Sequence, residues 1–244
     1  MLSKSELKVL RSLQHKKYRR EHHMFIVEGI KSVEEVVGSD FVIKDIYATA
    51  AWIESDKNQI ERTIRQVSLK ECEQISSLQT TPEVFALVEM KENRLEPLSP
   101  KCLLLDDIKD AGNLGTLIRT ADWFGIHSVI CSLQCVEMYN PKCIQASMGS
   151  FTRVNVYYTD LIASIKQLPE KYKVYGTFLE GKDLRKVQFH PYSALVIGNE
   201  SNGISKEVAA YIQERICIER QSTHAVDSLN VAAATAIVCY ALSC

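Results

Sequence analysis

The sequence predicts two α/β units in series: a small one at the N-terminus and a larger one whose sheet is mostly parallel. Two observations carry this. Along residues 101–244, fully apolar strand-length runs alternate with helix-period segments, as a parallel sheet covered on both faces requires. Before it, Lys91–Pro100 is polar, aperiodic and contains Pro97 and Pro100, as a linker should be. The units are therefore placed at 1–92 and 101–244, with a linker over 93–100.

In the first unit, Leu7, Leu10 and Leu13 recur at helical spacing over residues 5–15. Phe25–Val27 reads as a strand, followed by a helix through Val33, Val36 and Val37. Strands are expected over Val42–Tyr47 and Phe85–Val88, with a short strand and a helix within Ile60–Leu78. This unit is expected to have a modest core of its own. In the second unit, strands are expected at Leu103–Leu105, Val129–Cys131, Val154–Tyr157, Val174–Phe178, Leu195–Ile197 and Ile216–Ile218. Helices are expected at Leu114–Phe124, Lys142–Ser147, Leu161–Leu168, Lys206–Arg215 and Val231–Leu242, with Ser205 and Ser228 as N-caps for the last two.

Composition narrows the function classes. At 46% hydrophobic and 24% charged residues, the chain is an ordinary folded soluble type. It has no apolar run that spans a bilayer and no signal-peptide core, so a cytoplasmic protein without membrane contact is expected. Its eight cysteines form no Cys-x-x-Cys pair and several lie in apolar stretches, which suits buried free thiols and disfavours a metal site. A net charge of −1 argues against nucleic-acid binding by the protein as a whole. The charge is uneven, however: residues 1–31 hold eight basic against three acidic side chains. Lys16, Lys17, Tyr18, Arg19 and Arg20 are the densest part. Such a cluster suits phosphate with an aromatic for stacking, and equally a solvated helix end.

Three segments could carry chemistry, and each has a plain structural reading. Asp110–Arg119 places Gly112 and Gly115 around Asn113 where a strand gives way to a helix. Gly198–Gly203 holds Glu200 and Asn199 between glycines after a buried strand. Ser228–Asn230 precedes an alanine-rich helix. Glycines and amides at strand ends suit a ligand pocket, and they also suit ordinary turns and caps. Gly112–Gly115 lacks the Gly-x-Gly-x-x-Gly spacing of a dinucleotide loop, which counts against an oxidoreductase.

Taken in order, the segments resemble the motifs of the SpoU (TrmH) family of SPOUT RNA 2′-O-ribose methyltransferases. The matches are Asp110, Asn113, Gly115, Arg119, Gly198, Glu200, Gly203, Ser228, Leu229, Asn230 and Val231, and the likeness runs from about Lys101 to the end. Phe25–Lys31 is similar, less specifically, to the family's RNA-substrate-binding domain. Ala111 stands where the family has proline, and Ile218–Asp227 departs from the usual approach to the last motif. The resemblance implies an α/β trefoil knot, a homodimer with the site near its interface, and S-adenosylmethionine held by Gly198, Ile218 and Leu229, with Thr177 and Asn199 beside them. It implies catalytic roles for Arg119, Asn113, Glu200, Ser228 and Asn230. A guanidine is a poor base at neutral pH, because its neutral form is expensive there, so Arg119 is expected to anchor phosphate and stabilise developing alkoxide charge. Asn113 and Glu200 are expected to orient Arg119 and the nucleotide, and Ser228 and Asn230 to shape the pocket. The expected partner is structured RNA, rRNA in preference to tRNA, bound in part by residues 16–20. The competing reading is a catalytically silent RNA-binding or ribosome-assembly factor of the same fold.

Overall fold

Ser3 opens the first helix, α1 (Lys4–Ser12), through a reciprocal capping box: its hydroxyl accepts from the Glu6 amide at 3.2 Å while Glu6 accepts from the Ser3 amide at 2.8 Å. The computed structural model describes residues 2–55, 60, 62–222 and 228–243. The basic run that follows is itself a helix, α2 (Lys16–His22), ended by His23 in the left-handed region at φ 52°. Then come β1 (Met24–Glu28), α3 (Ile30–Val37), β2 (Ile43–Thr49), α4 (Ala50–Ile53), β3 (Ile64–Val67), α5 (Leu69–Ile75) and β4 (Val84–Glu89). The sheet order is β1-β4-β2-β3; β4 is antiparallel to both of its neighbours, and β2 and β3 are parallel.

The second unit comprises β5 (Lys101–Leu105), α6 (Ala111–Trp123), β6 (Ser128–Ser132), α7 (Pro141–Ser147), β7 (Asn155–Thr159), α8 (Leu161–Lys166), β8 (Lys173–Asp183), β9 (Ser193–Ile197), α9 (Lys206–Ala209), β10 (Glu214–Cys217) and α10 (Val231–Ser243). Its sheet has the order β10-β8-β9-β5-β6-β7, and every pairing is parallel. The continuous apolar runs explain this: every residue of β6 and β9 is buried, so both faces are covered. The chain leaves β5 toward β6 and β7, then returns on the other side through β8 and β9. The carboxyl ends of β5 and β9 thus flank a topological switch point, where open parallel sheets bind ligands.

Two expectations change. The first unit has a private core on one face only, built from Leu10, Leu13, Ile26, Tyr47, Val67 and Phe85. On its other face Phe25, Val27 and Phe41 belong to the same apolar cluster as Leu103, Leu105 and Phe151 of the second unit. Phe25 lies 4.6 Å from the Tyr139 ring and Phe41 lies 5.6 Å from Phe151, centroid to centroid. The helix expected over Lys206–Arg215 stops after one turn, because its C-terminal part pairs with β8 as β10. Ser205 occupies the N-cap position of α9 but makes no capping bond, its hydroxyl being taken by Asp106. Among the described residues no helix is long and apolar enough to cross a membrane, and the cysteines are free.

Candidate active site

The end of β5 is tied to the loop after β9 by backbone and carboxylate together. The Asp106 amide donates to the Ile197 carbonyl at 2.8 Å, and the buried Asp106 carboxylate accepts from the Ser205 amide and hydroxyl at 2.8 and 2.7 Å. Asp107 follows at φ 61°, an uncommon conformation for a residue other than glycine. Its carbonyl accepts from Asn199 Nδ2 at 2.8 Å. Asn199 Oδ1 accepts from the Ser201 and Asn202 amides, and its backbone pairs with Gly203 in both directions. The Asn199 side chain is thereby spent on building the loop. Gly198 permits this loop, because a Cβ there would sit 2.2 Å from Gly203 C and Ile204 N.

Beside this loop lies a cleft of about 760 Å³, lined among others by Thr177, Phe178, Gly198, Ile218, Leu229 and Thr235. All five residues expected to hold the cofactor line it, as do Glu200 and Ser228. Leu229 is half exposed at its mouth. Arg215 stacks on the Phe178 ring at 3.8 Å and closes one side.

Asn113, Glu200 and Asn230 come from three different segments and form one hydrogen-bonded chain. Asn113 Nδ2 donates to Glu200 Oε1 at 2.9 Å, and Asn113 Oδ1 accepts from Asn230 Nδ2 at 3.2 Å. Asn230 Oδ1 accepts from the Ala232 and Ala233 amides, so Asn230, rather than the expected Ser228, caps α10. The reason is positional: α10 begins at Val231, and the cap is the residue directly before it. Asn113 is itself fixed by Asp110 Oδ1, which accepts from its amide at 2.8 Å and caps α6. Asp110 also pairs with Lys142 Nζ at 2.6 Å; that ammonium and the Asn113 amide hold its carboxyl below the usual aspartate range.

The expectation that Asn113 and Glu200 orient Arg119 is not what the structure shows. Those two side chains bond to each other, while Arg119 is exposed on α6, outside the cleft lining, and forms no ion pair among the described residues. It shares an outward face with Trp123, one turn on, which is 83% exposed. Of the atypical stretch Ile218–Asp227, residues 223–227 lie outside the described residues.

The basic cluster divides. Arg19 is buried at 2% exposure, with Nε 2.6 Å and Nη2 2.5 Å from Glu137 Oε1, and Nη1 donating to the Leu13 and Gln14 carbonyls. It cannot reach a phosphate and is withdrawn from the RNA-binding set; it pins α2 to the second unit. Lys16 and Arg20 flank the same Glu137 at 4.0 and 3.8 Å but are at least half exposed. Tyr18 is exposed, with Lys17 Nζ 5.6 Å from its ring centre. No sequence pattern marks Glu137 or Lys142, and Asp106 is marked only by its place at the end of a strand.

Residues 100–240 match the model of the SpoU rRNA Methylase family, and residues 4–86 match that of the MRM3-like substrate binding domain. The chain belongs to the SpoU rRNA methylase family. Among its relatives is the 23S rRNA (guanosine(2553)-2′-O)-methyltransferase RlmP of Bacillus subtilis, 31% identical over 242 residues, which cover 97% of this chain and 95% of that protein. Among solved structures, a putative RNA methyltransferase of the TrmH family from Porphyromonas gingivalis superposes with a TM-score of 0.87 at 34% identity, covering 99% of this chain and 98% of that one. An AdoMet-bound rRNA methyltransferase from Sinorhizobium meliloti superposes with a TM-score of 0.84 at 26% identity, covering 99% and 95%.

Proposed function

We propose that the protein transfers a methyl group from S-adenosylmethionine to a ribose 2′-hydroxyl of rRNA. The observation that carries this is the Glu200–Asn113–Asn230 chain at the rim of the switch-point cleft, in a member of the SpoU family. The residues present suit the cofactor. The Gly198–Gly203 loop, folded tightly on itself at Gly198, lines the cleft, and Phe178, Ile218 and Leu229 offer apolar walls. Bound there, S-adenosylmethionine supplies an activated methyl group.

The chain's own task is to place the hydroxyl in line and to manage its proton and charge. Asn113 is locked by three partners, so its amide presents Glu200 in one orientation at the cleft rim. Arg119 serves as a phosphate anchor that stabilises alkoxide charge. Its placement on an outward face supports a homodimer in which it serves the partner's cleft. Exposed apolar side chains on the same pair of packed helices agree: Trp123 on α6, and Ile237 and Tyr240 on α10, are 83, 42 and 65% exposed. The unit of residues 1–92 binds the RNA through Lys16, Lys17, Tyr18 and Arg20.

Transfer of labelled methyl to total RNA from a strain lacking the gene tests this reading, with wild type and Arg119→Ala in parallel. Wild type should label a 2′-O-methylated nucleotide in rRNA. Arg119→Ala should bind S-adenosylmethionine normally and lose about 10²–10³-fold in kcat. Cofactor binding without transfer would replace the enzyme with the RNA-binding factor, and near-full turnover by Arg119→Ala would remove Arg119 from the mechanism.

A further inference from the structure

Four carboxylates gather where RNA must arrive: Asp106 and Asp107 at the end of β5, Asp110 at the start of α6, and Glu200 on the cleft rim. Asp106 is buried and satisfied by Ser205. The others present negative charge to a polyanion. Two lysines face this charge: Lys109 Nζ lies 2.5 Å from Asp107, and Lys142 Nζ lies 2.6 Å from Asp110. Lys109 Nζ also donates to the Gln134 carbonyl. Among the described residues Lys142 Nζ bonds to Asp110, and its side chain is 62% exposed, leaving donors of its ammonium toward solvent.

The position of Lys142 is fixed by backbone. Its stem lies over Gly112, where a Cβ would meet Lys142 Cε at 3.0 Å and Asp110 Oδ1 at 2.9 Å. Helix α7, which carries it, packs against α6 at Gly115, where a Cβ would fall 2.5 Å from the Cys143 carbonyl and 2.7 Å from Ala146 Cβ. The Asp110 carboxylate therefore joins Lys142 to the Asn113 backbone amide, and the Asn113 side chain in turn donates to Glu200. On the other side, Glu137 lies five residues before Lys142 and is flanked by the exposed Lys16 and Arg20.

We propose that Lys142 is a phosphate-binding positioning residue: its free face holds a backbone phosphate next to the target nucleotide while Asp110 fixes its other side. The RNA backbone then runs from Lys16 and Arg20 along residues 137–142 to the Asn113–Glu200 pair. This rests on the proposed 2′-O-methyltransferase reading.

The test uses rRNA from a strain lacking the gene, the full-length protein, and the variants Lys142→Gln, Lys142→Arg and Lys142→Gln/Asp110→Asn, with melting temperature and S-adenosylmethionine binding measured alongside. RNA affinity is measured across a salt series and methyl transfer under steady-state conditions. Lys142→Gln should raise KM for RNA about tenfold and lower the slope of log K against log salt by about one, the loss of one phosphate contact. Cofactor binding should stay as in wild type. Lys142→Arg should restore most of the slope. The double variant decides between contact and simple neutralisation. With both charges gone, the lowered slope persists if Lys142 touches phosphate. A wild-type slope in Lys142→Gln, or recovery of slope and KM in the double variant, overturns the proposal. A wild-type protein that transfers no methyl to RNA would sink the functional reading instead, and the slopes would still decide the role of Lys142.

Discussion

Glu137→Ala should loosen the joint between the two units. In the wild type the Arg19 guanidinium, 2% exposed, has two nitrogens on Glu137 Oε1 and a third on the Leu13 and Gln14 carbonyls. Removing the carboxylate leaves a buried cation with only carbonyl partners. Breaking a buried pair from one side costs about 3–5 kcal/mol. Water reaches Glu137, whose side chain is 11% exposed, so the lower end applies, about 3 kcal/mol. For a chain of this size that is a fall in Tm of roughly 6–12 °C. The unfolding should remain a single transition, because Phe25 and Phe41 share one core with Leu103 and Phe151. Urea denaturation of Glu137→Ala, Arg19→Met and the double variant reads it. The second substitution should cost about 2 kcal/mol less in the presence of the first than alone. A coupling below about 0.5 kcal/mol, within the error of additivity, would refute the argument that this pair pins the units together.

Gly198→Ala should weaken S-adenosylmethionine at least tenfold by calorimetry, since its Cβ would meet Gly203 C and Ile204 N at 2.2 Å and the Asn199–Gly203 pairing must open to admit it; an unchanged Kd would remove this loop from the cofactor site. Asp110 has a folded-state pKa below its ordinary value because of Lys142 and the Asn113 amide, so its stabilisation is full above about pH 4 and fades as pH falls through the lowered pKa. Asparagine caps a helix without titrating, so Tm below about pH 4 should fall more steeply for wild type than for Asp110→Asn; parallel acid limbs would contradict this.

The central strands of the larger sheet were legible because each is buried on both faces and so reads as an unbroken apolar run. The polar extension of β8 through Leu179–Asp183 was not: it is a strand only because β10 pairs with it across a register shift. Helix α2 has no apolar stripe. Its one buried residue is an arginine whose partner lies 118 positions away, and no local pattern encodes that. The site divides the same way. Asn113, Glu200 and Asn230 could be singled out by their motifs, but their mutual bonds span 87 and 117 positions and needed coordinates. Residue type alone makes Ser228 a candidate helix cap, whereas the start of α10 gives that task to Asn230.

The short connection between β6 and α7 explains why two units joined by a polar linker behave as one device. Val136 donates to the Ile108 carbonyl, next to the end of β5. Glu137 receives Arg19 from α2. Tyr158 accepts from the Met138 amide at 2.7 Å and donates to the Val136 carbonyl at 2.9 Å. Tyr139 packs on Phe25 of β1 and accepts from the Lys91 amide at 2.9 Å, while Asn93 bonds to both backbone groups of Tyr158. Lys142 then reaches Asp110, the cap that holds Asn113. One stretch of backbone thus carries the contacts that seat the first unit and the contact that holds the cap of Asn113. A loose tether would leave most of the cost of aligning a large RNA to be met at each encounter. A joint fixed through this segment settles the placement of α2 relative to the cleft once, on folding, instead of at each encounter.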